Sequence, residues 1–90
     1  MDKVLVARRV AGKLHATEAA VDAALAEATQ LMGEMIRGRQ ETKISAISTD
    51  PSMSKVSAAI AALAQARTAM VEAHAELEGR RTTGSIVLLP

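Results

Sequence analysis

The second half of the chain contains a pattern that a serine enzyme would use. Ser52-Met53-Ser54-Lys55 matches S-x-x-K, in which a serine at a helix start has a lysine one turn later to take its proton. The motifs S-D-N and K-T-G, which accompany it in such enzymes, do not follow. A serine near a helix N-terminus is expected from capping alone. We therefore expect no catalytic residue and a non-enzymatic protein.

Two histidines lie close to glutamates along the chain. His15 and Glu18 are spaced i, i+3, and His74 and Glu78 are spaced i, i+4, so each pair shares one helix face. Di-metal helical bundles use Glu-x-x-His in that order, and this sequence has none. We expect no metal and no cofactor, and a hydrogen bond between His74 and Glu78 at the rim of the fold.

The composition excludes several classes of site. The 90 residues include no Phe, Trp, Tyr or Cys, and the formal net charge is +1. Without aromatic rings there is no stacking platform for bases, and without cysteine there is no thiolate zinc site or disulfide. A charge this small is far from the strongly basic footprint of a dedicated nucleic-acid binder. No apolar run reaches the roughly 18 residues of a membrane span, so we expect a cytoplasmic protein.

The first half of the sequence has the periodicity of one long helix. Asp2 is a suitable N-cap, the helix is predicted over about 3–47, and a bend is expected near Gly33 and Gly38. The residues that recur at spacings of three and four are Val10, Leu14, Thr17, Val21, Ala24, Ala28, Leu31 and Met35, and Leu25, Met32 and Ile36 widen that face.

A second helix is predicted over about 51–78. Asp50 is a good N-cap, Pro51 suits the first helical position, and Gly79 is a natural C-cap. A strict heptad alternation runs through Met53, Val56, Ile60, Leu63, Arg67, Met70, His74 and Leu77. The fold class is therefore all-α, an antiparallel helical hairpin. Residues 1–81 form the hairpin domain, and 82–90 form an extended apolar C-terminal tail.

Folding the chain about residues 48–49 predicts which residues face each other. Arg67 pairs with Leu31 and His74 with Ala24, and the first 15–18 residues extend past the second helix. Arg67 and His74 either lie at the rim with their heads in water or fix register and partner choice. If Arg67 is buried it needs a carboxylate, and Glu34 or Glu27 would be near.

Two helices do not enclose a core, so the sequence predicts a homo-oligomer. A homodimer forming a four-helix bundle is expected, and a hairpin that awaits a different protein partner is the alternative. Alanines that flank the second heptad stripe allow close helix packing: Ala59, Ala62, Ala66, Ala69 and Ala73. The expected partner-interface residues are Val10, Leu14, Val21, Ile60, Leu63, Arg67, Met70, His74 and Leu77.

Charge is unevenly distributed along the first helix. Residues 1–15 carry a local charge of +3, and residues 16–36 carry −4. We expect a protein–protein interaction or assembly module in which the basic end of one chain lies beside the acidic middle of its twin. The alternative is a nucleic-acid-associated accessory or regulatory protein. It would use the basic residues at one end of the bundle, which are Lys3, Arg8, Arg9, Lys13, Arg80 and Arg81.

Overall fold

A computed structural model describes residues 2–42 and 51–79 of the chain. These residues form two α-helices that pack against each other, α1 (Lys3–Thr42) and α2 (Ser52–Gly79). The predicted all-α hairpin is therefore confirmed. The predicted helical residues 43–47, the Asp50 cap and the tail over 82–90 lie outside the described residues.

Both helix starts have identifiable local causes. The Asp2 carboxylate accepts a hydrogen bond from the Val4 backbone N–H at 2.8 Å, which is the capping role predicted for it. Pro51 directly precedes α2, and its carbonyl accepts the Lys55 N–H at 3.0 Å. Ser54 Oγ donates to the same carbonyl at 3.1 Å. The serines of the S-x-x-K pattern thus lie in the first turn of α2, and the Ser54 hydroxyl is bonded to the local backbone.

α1 runs as a single helix through the glycines at which a bend was expected. Threonine hydroxyls along it donate to the carbonyl one turn earlier, as at Thr17 and Thr29, both at 2.8 Å. With 40 residues, the helix is about 60 Å long.

The face that α1 turns toward α2 differs in part from the predicted stripe. Val10, Thr17, Ala24 and Leu31 are exposed. The half-buried positions that are again spaced by three and four are Ala7, Ala11, Leu14, Glu18, Val21, Leu25, Ala28, Met32, Met35 and Arg39; Val6, Gly33 and Gly38 are half-buried as well. Of the residues predicted to widen the face, Leu25 and Met32 are half-buried and Ile36 is exposed. The predicted and observed stripes share every second position. Each remaining predicted position has its observed counterpart one residue later in the chain. The observed stripe turns Leu25, Met32 and Glu18 toward α2, which buries more apolar surface than Ala24 and Thr17 would.

The predicted stripe of α2 is correct except at one position. All of its members are half-buried apart from Arg67, and Ala66 is half-buried in its place. The side chain of Arg67 is 56% exposed, so its guanidinium lies at the edge of the contact between the helices.

The register of the hairpin also differs from the prediction. Arg67 contacts Asp22 rather than lying beside Leu31, and His74 contacts Glu18 rather than lying beside Ala24. The observed partners lie six to nine residues earlier in α1 than predicted, so that paired residue numbers add to about 90. In this register both polar side chains of α2 meet a carboxylate, whereas the predicted register would leave His74 against Ala24. Gly79 is then level with about residue 11, and the overhang of α1 is shorter than the predicted 15–18 residues.

None of the described residues is fully buried. The molecule measures 64 × 17 × 16 Å, and its radius of gyration is 20.0 Å, against about 12 Å for a compact domain of this length. Its cross-section is that of two helices side by side, so each helix has one face against its neighbour and the rest in solvent.

Candidate interaction surface

A polar layer crosses the hairpin where His74 of α2 meets Glu18 of α1. His74 Nδ1 lies 3.0 Å from Glu18 Oε2 in a part-buried hydrogen bond. His15 Nδ1 lies 3.7 Å from the other oxygen of Glu18, and the two imidazole rings stand edge to face, with centroids 5.8 Å apart. Both histidines of the chain therefore meet at one level of the hairpin.

The sequence had assigned His74 a different partner. Glu78 lies one turn away on the same helix, with Oε2 3.8 Å from His74 Nε2, which is beyond hydrogen-bond distance. The hydrogen bond is made instead to Glu18, 56 residues earlier. No local spacing signals this contact, because it exists only in the observed register.

This polar layer links the two helices. Among residues 2–42 and 51–79, no group of three or more His, Cys, Asp or Glu side chains is arranged to hold a metal ion. The half-buried carboxylate of Glu18 accepts a hydrogen bond across the helices, and sliding either helix by one turn would break it. The layer therefore favours one register.

A second polar contact lies about two turns along the hairpin. Arg67 Nε donates to Asp22 Oδ1 at 2.9 Å, and both side chains are more than half exposed. The predicted partners, Glu34 and Glu27, are therefore wrong, and Glu34 instead pairs with Arg37 on its own helix. A shallow groove beside this contact is lined by Glu18, Val21, Asp22, Arg67, Met70 and Val71.

Most of the predicted partner-interface residues lie between the two helices of one chain. Those that are half-buried there are Leu14, Val21, Ile60, Leu63, Met70, His74 and Leu77. The other two, Val10 and Arg67, are exposed. The heptad alternation of α2 thus lies on the side of that helix that packs against α1, where its residues are only half-buried.

The side of the hairpin opposite the groove is uncharged, and we name it the outer face; most of its residues are exposed, and Ala66 and Ala73 are half-buried. Asp22 of α1 and Val71 of α2 line the groove. The residues along the other edge of each helix therefore lie together on the opposite side of the hairpin. The α1 row contains Val10 and Leu31, which are 45% and 51% exposed. The residues of the outer face are Val10, Thr17, Ala24 and Leu31 on α1, and Ala59, Ala62, Ala66, Ala69 and Ala73 on α2.

These features define an antiparallel two-helix hairpin with a polar register layer inside and an uncharged strip outside. No family model, curated protein or solved structure matches the chain. Neither described helix contains a stretch apolar enough to span a lipid bilayer.

Proposed function

We propose that this protein is a non-enzymatic interaction or assembly module of the cytoplasm that acts as a homodimer, in which two hairpins form a four-helix bundle. The observation that carries the proposal is the lack of any fully buried side chain among the described residues. Burial of apolar surface is the dominant favourable term in folding, and half-buried seams provide only part of it. A second hairpin would supply the missing cover.

The shape of the chain supports the same proposal. A hairpin has two long sides, and on one of them the residues of the outer face are all uncharged. Two large apolar side chains of this face, Val10 and Leu31, are 45% and 51% exposed. Apolar strips of this length on a small protein mark interaction surfaces.

The test is the mass of the protein in solution. Light scattering after gel filtration, with detection by refractive index because no aromatic residue absorbs, should give twice the 9.4 kDa of one chain. Elution volume alone is unsuitable because a 64 Å rod elutes early as a monomer. A mass of 9.4 kDa at micromolar concentration, with a helical far-ultraviolet circular dichroism spectrum, would contradict the proposal.

A second candidate function rests on the basic end of α1. Lys3, Arg8, Arg9 and Lys13 are all exposed, and the first three lie beyond the level of the end of α2. Such a cluster would bind nucleic acid through phosphate contacts, with an affinity that falls steeply as salt rises. A gel-shift assay at low salt tests it, and the absence of any shift rejects it.

A further inference from the structure

Charged residues flank the outer face at matching positions. On α2, the row Lys55, Ala62, Ala69, Glu76 is spaced by seven residues and begins and ends with opposite charges. On α1, the row Lys13, Ala20, Glu27, Glu34 has the same spacing; its two ends are likewise opposite in charge, and a second carboxylate, Glu27, lies between them. All five charged side chains are exposed.

The two charges of the α2 row stand against the helix dipole. Lys55 is in the first turn and Glu76 in the last turn of α2, and the opposite signs would be favoured at both ends. Within the described part of the chain, neither Lys55 nor Glu76 makes an ion pair. The dipole of α2 thus disfavours these two charges, whereas the opposite charges of an antiparallel partner helix would stabilise them.

We propose that a second copy of this chain packs face to face on the outer face with its helices antiparallel to their counterparts, so that α1 lies on α1 and α2 on α2. Lys55 then lies opposite the partner's Glu76, and Lys13 opposite the partner's Glu34. By two-fold symmetry each pair occurs twice. This inference rests on the proposed homodimer and specifies its surface and orientation.

One symmetry axis serves both helices. The midpoint between Lys13 and Glu34 falls beside Ala24, and the midpoint between Lys55 and Glu76 falls beside Ala66. The register of the hairpin, in which paired residue numbers add to about 90, puts these two alanines at the same level. A two-fold axis through that level therefore aligns both sets of charges at once.

The apolar residues of α1 fit the same axis. With Ala24 opposite its own copy, Leu31 lies opposite Thr17 and Val10 lies opposite Gly38, so each larger side chain meets a smaller one. Alanines on α2 permit an interaxial distance near the lower end of the usual 8–10 Å.

The area is sufficient for a stable dimer. The 28 residues of α2 are about 42 Å long, and the hairpin is 17 Å wide. Each chain thus contributes roughly 700 Å², or about 1,400 Å² in total, within the range of specific interfaces.

A parallel arrangement of the two hairpins, in which α1 lies on the partner's α2, is less favourable. It would place the two basic N-terminal segments, each with a local charge of +3, at the same end of the bundle. It would also leave the overhang of α1 without a facing helix, whereas α1 packed on α1 covers it. The antiparallel arrangement avoids both costs.

Cysteine crosslinking tests the orientation directly, because the chain has no native cysteine. Ala24→Cys lies on the proposed axis and should form a disulfide between chains under mild oxidation, since α1 meets α1 there. Ala23→Cys is the matched control, since it is equally exposed but points about 100° away. Crosslinking of A24C but not A23C supports the arrangement. Crosslinking only in the double variant A24C/A66C would show parallel packing and overturn it.

Charge exchange gives an independent measurement. Lys55→Glu should raise the dimer dissociation constant about 10- to 30-fold, since two exposed pairs become repulsive. K55E/E76K should restore it, because each partner pair is re-formed with its signs exchanged. Glu72→Lys, exposed one turn from Glu76, is the control and should have little effect.

The outcomes separate the two proposals. A wild-type protein that is monomeric by light scattering refutes the homodimer itself. A dimeric wild type that K55E does not weaken, or that K55E/E76K weakens further, refutes this face and orientation only. A circular dichroism spectrum unchanged from the wild type shows that each variant is folded.

Discussion

The temperature at which this protein unfolds should depend on its concentration. If the missing cover of the hairpin is a second chain, unfolding is coupled to dissociation, and dilution favours the unfolded chains by mass action. If the contact between the two helices of one chain were enough to keep it folded as a monomer, the unfolding temperature would not depend on concentration. Changing the concentration is thus a perturbation that leaves the sequence intact and tests the lack of buried side chains directly.

The size of the effect follows from the helices. A tenfold change in concentration is worth about 1.4 kcal/mol per dimer. The helices contain 40 and 28 residues, so a dimer orders roughly 136 residues, with an unfolding entropy of about 290 cal/mol/K. Dividing the two gives a shift of about 5 °C for every tenfold change in concentration.

Far-ultraviolet circular dichroism is the suitable probe, because the chain has no aromatic residue for fluorescence or near-ultraviolet signals. Melting curves at about 5, 50 and 500 μM should have midpoints that rise in two steps of similar size. Cells of different path length keep the signal constant. A midpoint that is the same at all three concentrations, in a helical and reversibly folding sample, would refute the reasoning.

Three variants test the hairpin by thermal or urea unfolding at one fixed concentration. Asp22→Asn should cost less than about 1 kcal/mol, because its ion pair with Arg67 is more than half exposed; a loss above 2 kcal/mol would contradict that exposure. Gly33→Ala should stabilise by up to about 1 kcal/mol, since an added Cβ meets nothing within 4 Å, and a lower midpoint would indicate an unseen neighbour. The double variant Glu18→Leu with His74→Leu should be at least as stable as the wild type, because apolar replacement of a half-buried polar pair is often neutral or favourable, and a clear loss would show that the pair is worth more than its burial suggests.

The elements of the fold could be predicted from the sequence because they depend on local signals. The Asp2 cap, the start of α2 after Pro51 and its end at Gly79 need only a few neighbouring residues. The facing side of α1 could not be predicted fully, because apolar residues occupy adjacent rows. Leu31 and Leu25 both fit a helical stripe, and only packing against α2 decides between them.

The polar contacts were predicted less well for a related reason. Glu18 and His74 are separated by 56 residues, and their contact depends on the register of two helices. Registers of alanine-rich helices are weakly determined by shape, since alanines repeat with the same spacing over many turns. A slip of one heptad therefore costs little in apolar packing, and the sequence pattern alone gave an offset of six to nine residues.

The weak dependence of the register on alanine packing explains why polar side chains lie along an otherwise apolar seam. Sliding α2 by one turn would separate His74 from Glu18 and Arg67 from Asp22 at the same time. Those contacts lie on different levels and would be lost together, so they oppose a slip that alanine packing would tolerate. The same register brings Ala24 level with Ala66, on which the proposed two-fold axis depends. Residues inside one hairpin therefore set the alignment with which its outer face could meet a second copy.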